Sequence, residues 1–167
     1  MKKLSILLIA SIFLSSFQSL NYLDYEYIEI VNLESKPIIK GFLNGKKAFF
    51  LLDTGSDLSF LNSESETDYD FKINRNTQSH IQFAGLGGRI YGVRKVDMAK
   101  LRLGTQLIYA RYMSYDMQNI VDAFEKRTGK KICGIIGSDI MRNYGFKIDY
   151  EKRQVGIALK GSYYTKK

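Results

Sequence analysis

The sequence predicts a mainly β domain, mostly antiparallel, with one or two short helices late in the chain. Three observations carry this. Twelve Tyr and ten Phe against a single Pro favour strands over helices. Short apolar runs are separated by turn signals, the sharpest being Asn44-Gly45, where both residues of a two-residue hairpin turn need positive φ. Helix signals appear only near residues 117–128, by apolar spacing, and 138–143, by capping residues.

The elements follow in order. Tyr27–Leu33 reads as a strand with Ile28 and Ile30 on one face, ended by Glu34-Ser35-Lys36-Pro37. Ile38–Leu43 and Lys46–Leu52 form a hairpin across Asn44-Gly45, and Leu58–Leu61 is a further short strand. Ser63–Asn76, polar and acidic, reads as a loop. Residues 80–93 read as a hairpin with the flexible tip Gly85-Leu86-Gly87-Gly88. Val96–Leu103 and Gln106–Tyr115 form another hairpin around Gly104-Thr105. Met117–Thr128 is the first helix, with Met117, Ile120, Val121 and Phe124 at helical spacing, Asp116 as a cap and Gly129 as a stop. Ile132–Ile136 is a buried strand. Ser138–Asn143 is a short helix with Ser138 as N-cap, Asp139 at its positive end and Gly145 as its stop. Phe146–Asp149 and Val155–Leu159 close the domain as a hairpin.

The 167 residues suit one domain, and 45% hydrophobic residues suit a packed core. Met1-Lys2-Lys3 followed by the uncharged Leu4–Phe17 predicts a targeting segment, about 14 apolar residues being short for a membrane span. Residues 1–19 are therefore expected to be a signal peptide or an N-terminal membrane anchor, 20–26 a linker, 27–160 the domain and 161–167 a basic tail. The domain is then exported: periplasmic, secreted or tethered to a membrane facing out of the cytoplasm. Without residues 1–19, which hold two lysines and no acid, the net charge falls from +8 to +6, spread in small groups among acids. No nucleic-acid motif accompanies it. A single cysteine, Cys133, forms no internal disulfide and reads as a small buried hydrophobe. With one His, His80, and one Cys there is no zinc set, and no metal or cofactor is expected.

One short stretch carries chemistry. The apolar run Phe49-Phe50-Leu51-Leu52 delivers the carboxylate of Asp53 into Asp53-Thr54-Gly55-Ser56. Alone, an Asp-Thr-Gly is most simply a turn. Its setting adds a hairpin strand before it and Gly134-Ile135-Ile136-Gly137-Ser138-Asp139-Ile140-Met141 downstream. Together with Asn44-Gly45-Lys46 and Phe146-Lys147-Ile148-Asp149-Tyr150, these residues resemble the retropepsin-like aspartic proteases, single-domain bacterial type, from about Pro37 to Leu159.

The resemblance implies a closed antiparallel β domain, half of an acid-protease barrel. It implies an aspartic endopeptidase acting on an extended polypeptide. Asp53 would be one catalytic carboxylate. Thr54 would bond across to a second half, Gly55 would donate a backbone hydrogen bond to the carboxylate, and Ser56 would bond its outer oxygen. Ile136 and Gly137 would brace the turn, and Gly85, Leu86, Gly87 and Gly88 would form a substrate-binding flap. The chain holds no second Asp-Thr-Gly or Asp-Ser-Gly, so the resemblance implies a homodimer with Asp53 from each copy. Asp57, Asp139 and Asp149 read as a turn residue, a helix-start charge and a strand end. The rival reading is a catalytically inactive peptide-binding or scaffold domain at the cell envelope.

Overall fold

A computed structural model describes residues 24–34, 36–76 and 92–159. The expected targeting segment, the expected basic tail, His80 and the expected flap, Gly85 to Gly88, lie outside the described residues.

Strand β10 (Ile132–Ile136) sits at the centre of the sheet, buried along its whole length. On one side it pairs parallel with β3 (Lys46–Leu52), on the other antiparallel with β4 (Phe60–Asn62). Its side chains alternate between two apolar clusters. Cys133 and Ile136 join Phe50 and Leu52 on one face; Ile132 and Ile135 join Leu51 and Phe60 on the other. Apolar cover on both faces explains why these strands read as continuous apolar runs rather than alternating ones.

From β3 the sheet continues through β2 (Ile38–Leu43) to β1 (Tyr25–Asn32), β12 (Gln154–Ala158) and β11 (Lys147–Asp149). From β4 it continues through β9 (Tyr112–Tyr115) to β6 (Arg94–Asp97) and β5 (Lys72–Ile73). β7 (Leu101–Leu103) branches off β2 and pairs with β8 (Gln106–Ile108). Helix α2 (Gln118–Thr128) covers one face with Val121, Ile120 and Phe124. Helix α3 (Ser138–Asn143) packs Ile140 and Met141 into the other.

The β2–β3 hairpin follows its turn chemistry. Asn44 (φ 50°) and Gly45 (φ 84°) both take positive φ, and the register runs from Leu43 opposite Lys46 to Ile38 opposite Leu51. The Asn44 side chain also donates to the Tyr69 and Met98 carbonyls, at 2.9 Å each, and accepts the Lys100 N–H at 2.8 Å. One turn residue thereby ties three segments together.

Several sequence expectations are corrected. The sheet is mainly β as expected but not closed: its path runs open from β11 to β5. Both terminal strands are short, and each pairs on one side only among the described residues. Among the described residues two pairings, β3–β10 and β4–β9, are parallel. Strand β1 starts at Tyr25, which takes Tyr25 and Glu26 out of the expected linker. The acidic stretch 63–76 is not a plain loop. It holds a 3-10 turn (Ser63–Ser65), a one-turn helix α1 (Glu66–Tyr69) and β5. The buried ring of Phe71 anchors it. The Glu66 carboxylate closes it, taking the Ile73 N–H at 2.8 Å and pairing with Arg75 at 2.6 Å.

The long strand expected at Val96–Leu103 breaks at Met98, whose positive φ of 58° turns the chain. β6 then pairs with β5 and β9, while β7 pairs with β2 and β8. Its partner, expected over Gln106–Tyr115, breaks between Ile108 and Tyr112, where the Tyr144 hydroxyl bonds both N–H and C=O of Tyr109. The Gly104-Thr105 turn forms as expected. Gly104 has φ 56°, and the Glu26 carboxylate takes the Thr105 N–H at 2.7 Å and hydroxyl at 2.8 Å. Strand β4 begins at Phe60 rather than Leu58, so Leu58 and Ser59 belong to the connection leaving Asp53. The N-cap of α3 is Gly137 rather than Ser138.

Candidate active site

The parallel pairing of β3 with β10 brings Leu52 opposite Ile136, so both strands end together. The chain leaving β3 is Asp53, and the chain leaving β10 is Gly137. The Asp53 N–H continues the ladder to the Ile136 carbonyl at 3.0 Å. A carboxylate is thus delivered to the end of two buried strands and is itself only 7% exposed. Burial of this kind is tolerable only with hydrogen-bonded or charged partners.

Asp53 has both. Its Oδ1 accepts the Gly55 N–H at 3.1 Å. Its Oδ2 accepts the Lys36 ammonium at 2.5 Å. The local turn is closed by the Ser56 N–H on the Asp53 carbonyl at 3.0 Å. Thr54 and Gly55 are exposed at the rim beside the carboxylate. Tyr115, stacked edge-on against Phe60, lies close enough to feel the acid: burial first, and then the Asp53 charge, push its phenol above the usual range.

The turn is held from behind by Ser59, which is fully buried. Its hydroxyl donates to Asp139 Oδ1 at 2.6 Å and accepts the Gly137 N–H at 2.9 Å. Its own N–H reaches Asp139 Oδ2 at 3.3 Å, and its carbonyl takes the Met113 N–H at 3.1 Å. The Ser56 carbonyl receives the Ser138 N–H at 2.8 Å. Two segments, Asp53 to Ser59 and Gly137 to Asp139, are thereby laced together by charge-assisted and backbone bonds. Gly137 has no room for a side chain: a Cβ there would run into the Leu58 and Ser56 carbonyls. Gly134 is equally constrained by the Phe60 carbonyl and Leu61.

The structure therefore brings together Asp53, Gly55, Ser56, Ile136 and Gly137. Ser56 differs from its expected role: its hydroxyl donates to the Leu58 carbonyl at 2.7 Å, and Lys36 rather than Ser56 covers the outer carboxylate oxygen. Asp139 is more than a helix-start charge, because both its oxygens serve Ser59. Thr54 is exposed and bonds to none of the described residues. Cys133 is buried, and burial pushes its thiol up to about 12, which leaves it inert as a nucleophile. Among the described residues no cluster of three His, Cys, Asp or Glu side chains could hold a metal ion.

Sequence reasoning missed Ser59 and Lys36. Ser59 had a weak signal, a serine inside the apolar Leu58–Leu61 run. Lys36 had a strong one. Register from the Asn44-Gly45 turn pairs Ile38 with Leu51; continued, it sets Pro37 beside Leu52 and Lys36 beside Asp53. The Leu52 N–H indeed bonds the Pro37 carbonyl at 2.9 Å.

Comparisons with known proteins concern the fold and the family. The structure resembles a retropepsin-like aspartic protease from Rickettsia conorii, with a TM-score of 0.51 and 14% identity, over 81% of this chain and 91% of that one. It also resembles the retroviral protease-like domain of Ddi1 from Leishmania major, with a TM-score of 0.50 and 12% identity, over 75% and 90% of the two chains. The EIAV protease aligns over 71% of this chain and 96% of its own, at 24% identity and a TM-score of 0.49. No curated protein matches the chain. The profile of the retroviral aspartyl protease family matches residues 33–149, most of the chain and both halves of the Asp53 site, and the protein belongs to that family.

Proposed function

We propose that the protein is an aspartic endopeptidase whose catalytic dyad is formed by Asp53 from each of two copies. The observation that carries this is the buried Asp53 carboxylate, set at the paired ends of β3 and β10 and flanked by the exposed Thr54 and Gly55. A single copy presents one such acid. Its exposed rim is the surface on which a second copy would complete the site.

The chemistry follows from two carboxyl groups sharing one proton. Like charges at close range cannot both stay ionised, so one carboxyl holds the proton and the other does not. The ionised group takes a proton from water as the water oxygen attacks the peptide carbonyl. The protonated group donates to the carbonyl oxygen. Collapse of the tetrahedral intermediate returns a proton to the leaving amine and breaks the C–N bond. Gly55 N–H fixes the carboxylate orientation, and the Ser59–Asp139 brace holds the turn that carries it. The substrate is an extended polypeptide bound by strand-like hydrogen bonds. In this reading the protein works outside the cytoplasm, exported or tethered by residues 1–19.

Asp53→Asn tests the proposal. Hydrolysis of an unfolded protein, assayed at acid to neutral pH, should fall roughly a thousandfold. Unchanged hydrolysis would contradict it. The Lys36–Asp53 ion pair motivates a second reading, a non-catalytic peptide-binding domain whose acid is permanently neutralised. Peptide binding without turnover by the wild type and the Asp53→Asn variant alike would favour that reading.

A further inference from the structure

The Lys36 ammonium on Asp53 Oδ2 is the one contact at the site that a working dyad does not require. Among the described residues three groups face the carboxylate: the Gly55 N–H on Oδ1, Lys36 on Oδ2, and the half-buried phenol of Tyr115. Only Lys36 carries a positive charge. It compensates a carboxylate that would otherwise be buried alone. It also occupies an acceptor position on the oxygen and offsets the negative charge that would draw a proton from water.

The two partners differ in how freely they can leave. The Asp53 side chain is 9% exposed and tied into the β3–β10 ends, whereas the Lys36 side chain is 39% exposed. Backbone at Lys36 is held by its neighbour, the buried Pro37, whose carbonyl is bonded to Leu52. The flexible four-carbon stem is therefore the part that can move, carrying its ammonium out to water once another group compensates Asp53.

We propose that Lys36 is a positioning residue that holds Asp53 latent in the single subunit and is withdrawn when the acid of a second copy takes its place. This rests on the dyad reading above. In one subunit the ion pair keeps the carboxylate oriented and charge-compensated. In the dimer the two carboxyls share a proton, which removes the need for the ammonium. The pair thus favours the single subunit, and loss of the lysine favours assembly. A surface lysine with no such role would leave the equilibrium alone.

The test is sedimentation of the full chain over a concentration series. It compares wild type, Lys36→Met, Lys36→Gln and Lys36→Arg, each also combined with Asp53→Asn. Thermal melts show which variants fold, and Lys36→Gln replaces Lys36→Met if the latter does not. The dimer dissociation constant should fall roughly tenfold on neutralising Lys36. Arginine should restore the wild-type value, and the effect should vanish when Asp53 is already Asn. Equal or weaker dimerisation of the neutral variants overturns the proposal. So does an effect that persists undiminished with Asp53→Asn, and so does the absence of any dimer. The readout is assembly, so it fails separately from the protease reading. Lys36-insensitive dimers that lose hydrolysis with Asp53→Asn sink the latch alone. Lys36-sensitive dimers whose hydrolysis ignores Asp53→Asn sink the protease alone.

Discussion

The β2–β3 hairpin carries a Lys–Asp pair near each end, and the two ends differ in what they do with it. Near the turn, Lys46 pairs with Asp70 at 2.8 Å, with side chains 48% and 67% exposed. At the open end, Lys36 pairs with Asp53, whose side chain is 9% exposed. The first pair is screened by water and joins side chains free to move, so it adds little. The second involves a carboxylate that cannot be rehydrated without unmaking the strand ends, so its partner matters. Similar chemistry on one hairpin gives a surface contact in one place and a candidate functional site in the other. Burial makes the difference, and the β10 strand supplies it.

That contrast can be broken from either end. The largest effect on stability is expected at the site end, from Gly137→Ala. A Cβ there meets backbone carbonyls of Leu58 and Ser56, which cannot step aside as a side chain would. Chemical denaturation should show a loss of about 3 kcal/mol, with activity lost alongside. A melt within a degree of wild type would mean that the brace is looser than described. A middle-sized effect is expected at the turn end from Asn44→Ala. This removes three side-chain hydrogen bonds and places alanine at positive φ, for about 2 kcal/mol in the same assay. Catalytic rates of the folded fraction should stay near wild type, since the turn touches no site residue. The smallest is Lys46→Met, where the exposed pair should contribute no more than ~0.5 kcal/mol. A larger loss would erase the contrast between the two pairs, unless the bond from Lys46 to the Asp68 carbonyl accounts for it.

Much of this was legible in the sequence, unevenly. The hairpin, its register and the buried β10 strand follow from local signals: Asn44-Gly45, an apolar run before Asp53, and Ile132–Ile136. The pairing of Asp53 with the Ile136-Gly137 region came instead from the resemblance to a known family, whose motifs stand in the same order. Strand breaks were not legible. Met98 and Tyr109 carry no turn signal, and it is tertiary bonding from Asn44 and Tyr144 that turns the chain there. Strand closure was over-read, since which edges pair depends on side chains far apart in sequence. Ser59 was hidden because its importance lies in a long-range bond to Asp139. Lys36 was readable by carrying the hairpin register past Ile38 and Leu51, the cross-strand step that places a side chain opposite Asp53.

The central claim is that one active site needs Asp53 from two copies, and subunit mixing tests it most directly. Wild type and Asp53→Asn chains are exchanged at fixed wild-type concentration while the variant is raised, and hydrolysis is measured per wild-type chain. A shared dyad predicts that activity per wild-type chain falls in step with the wild-type fraction of the pool, as mixed dimers take up wild-type acids. Activity per wild-type chain that stays constant at every ratio would contradict it.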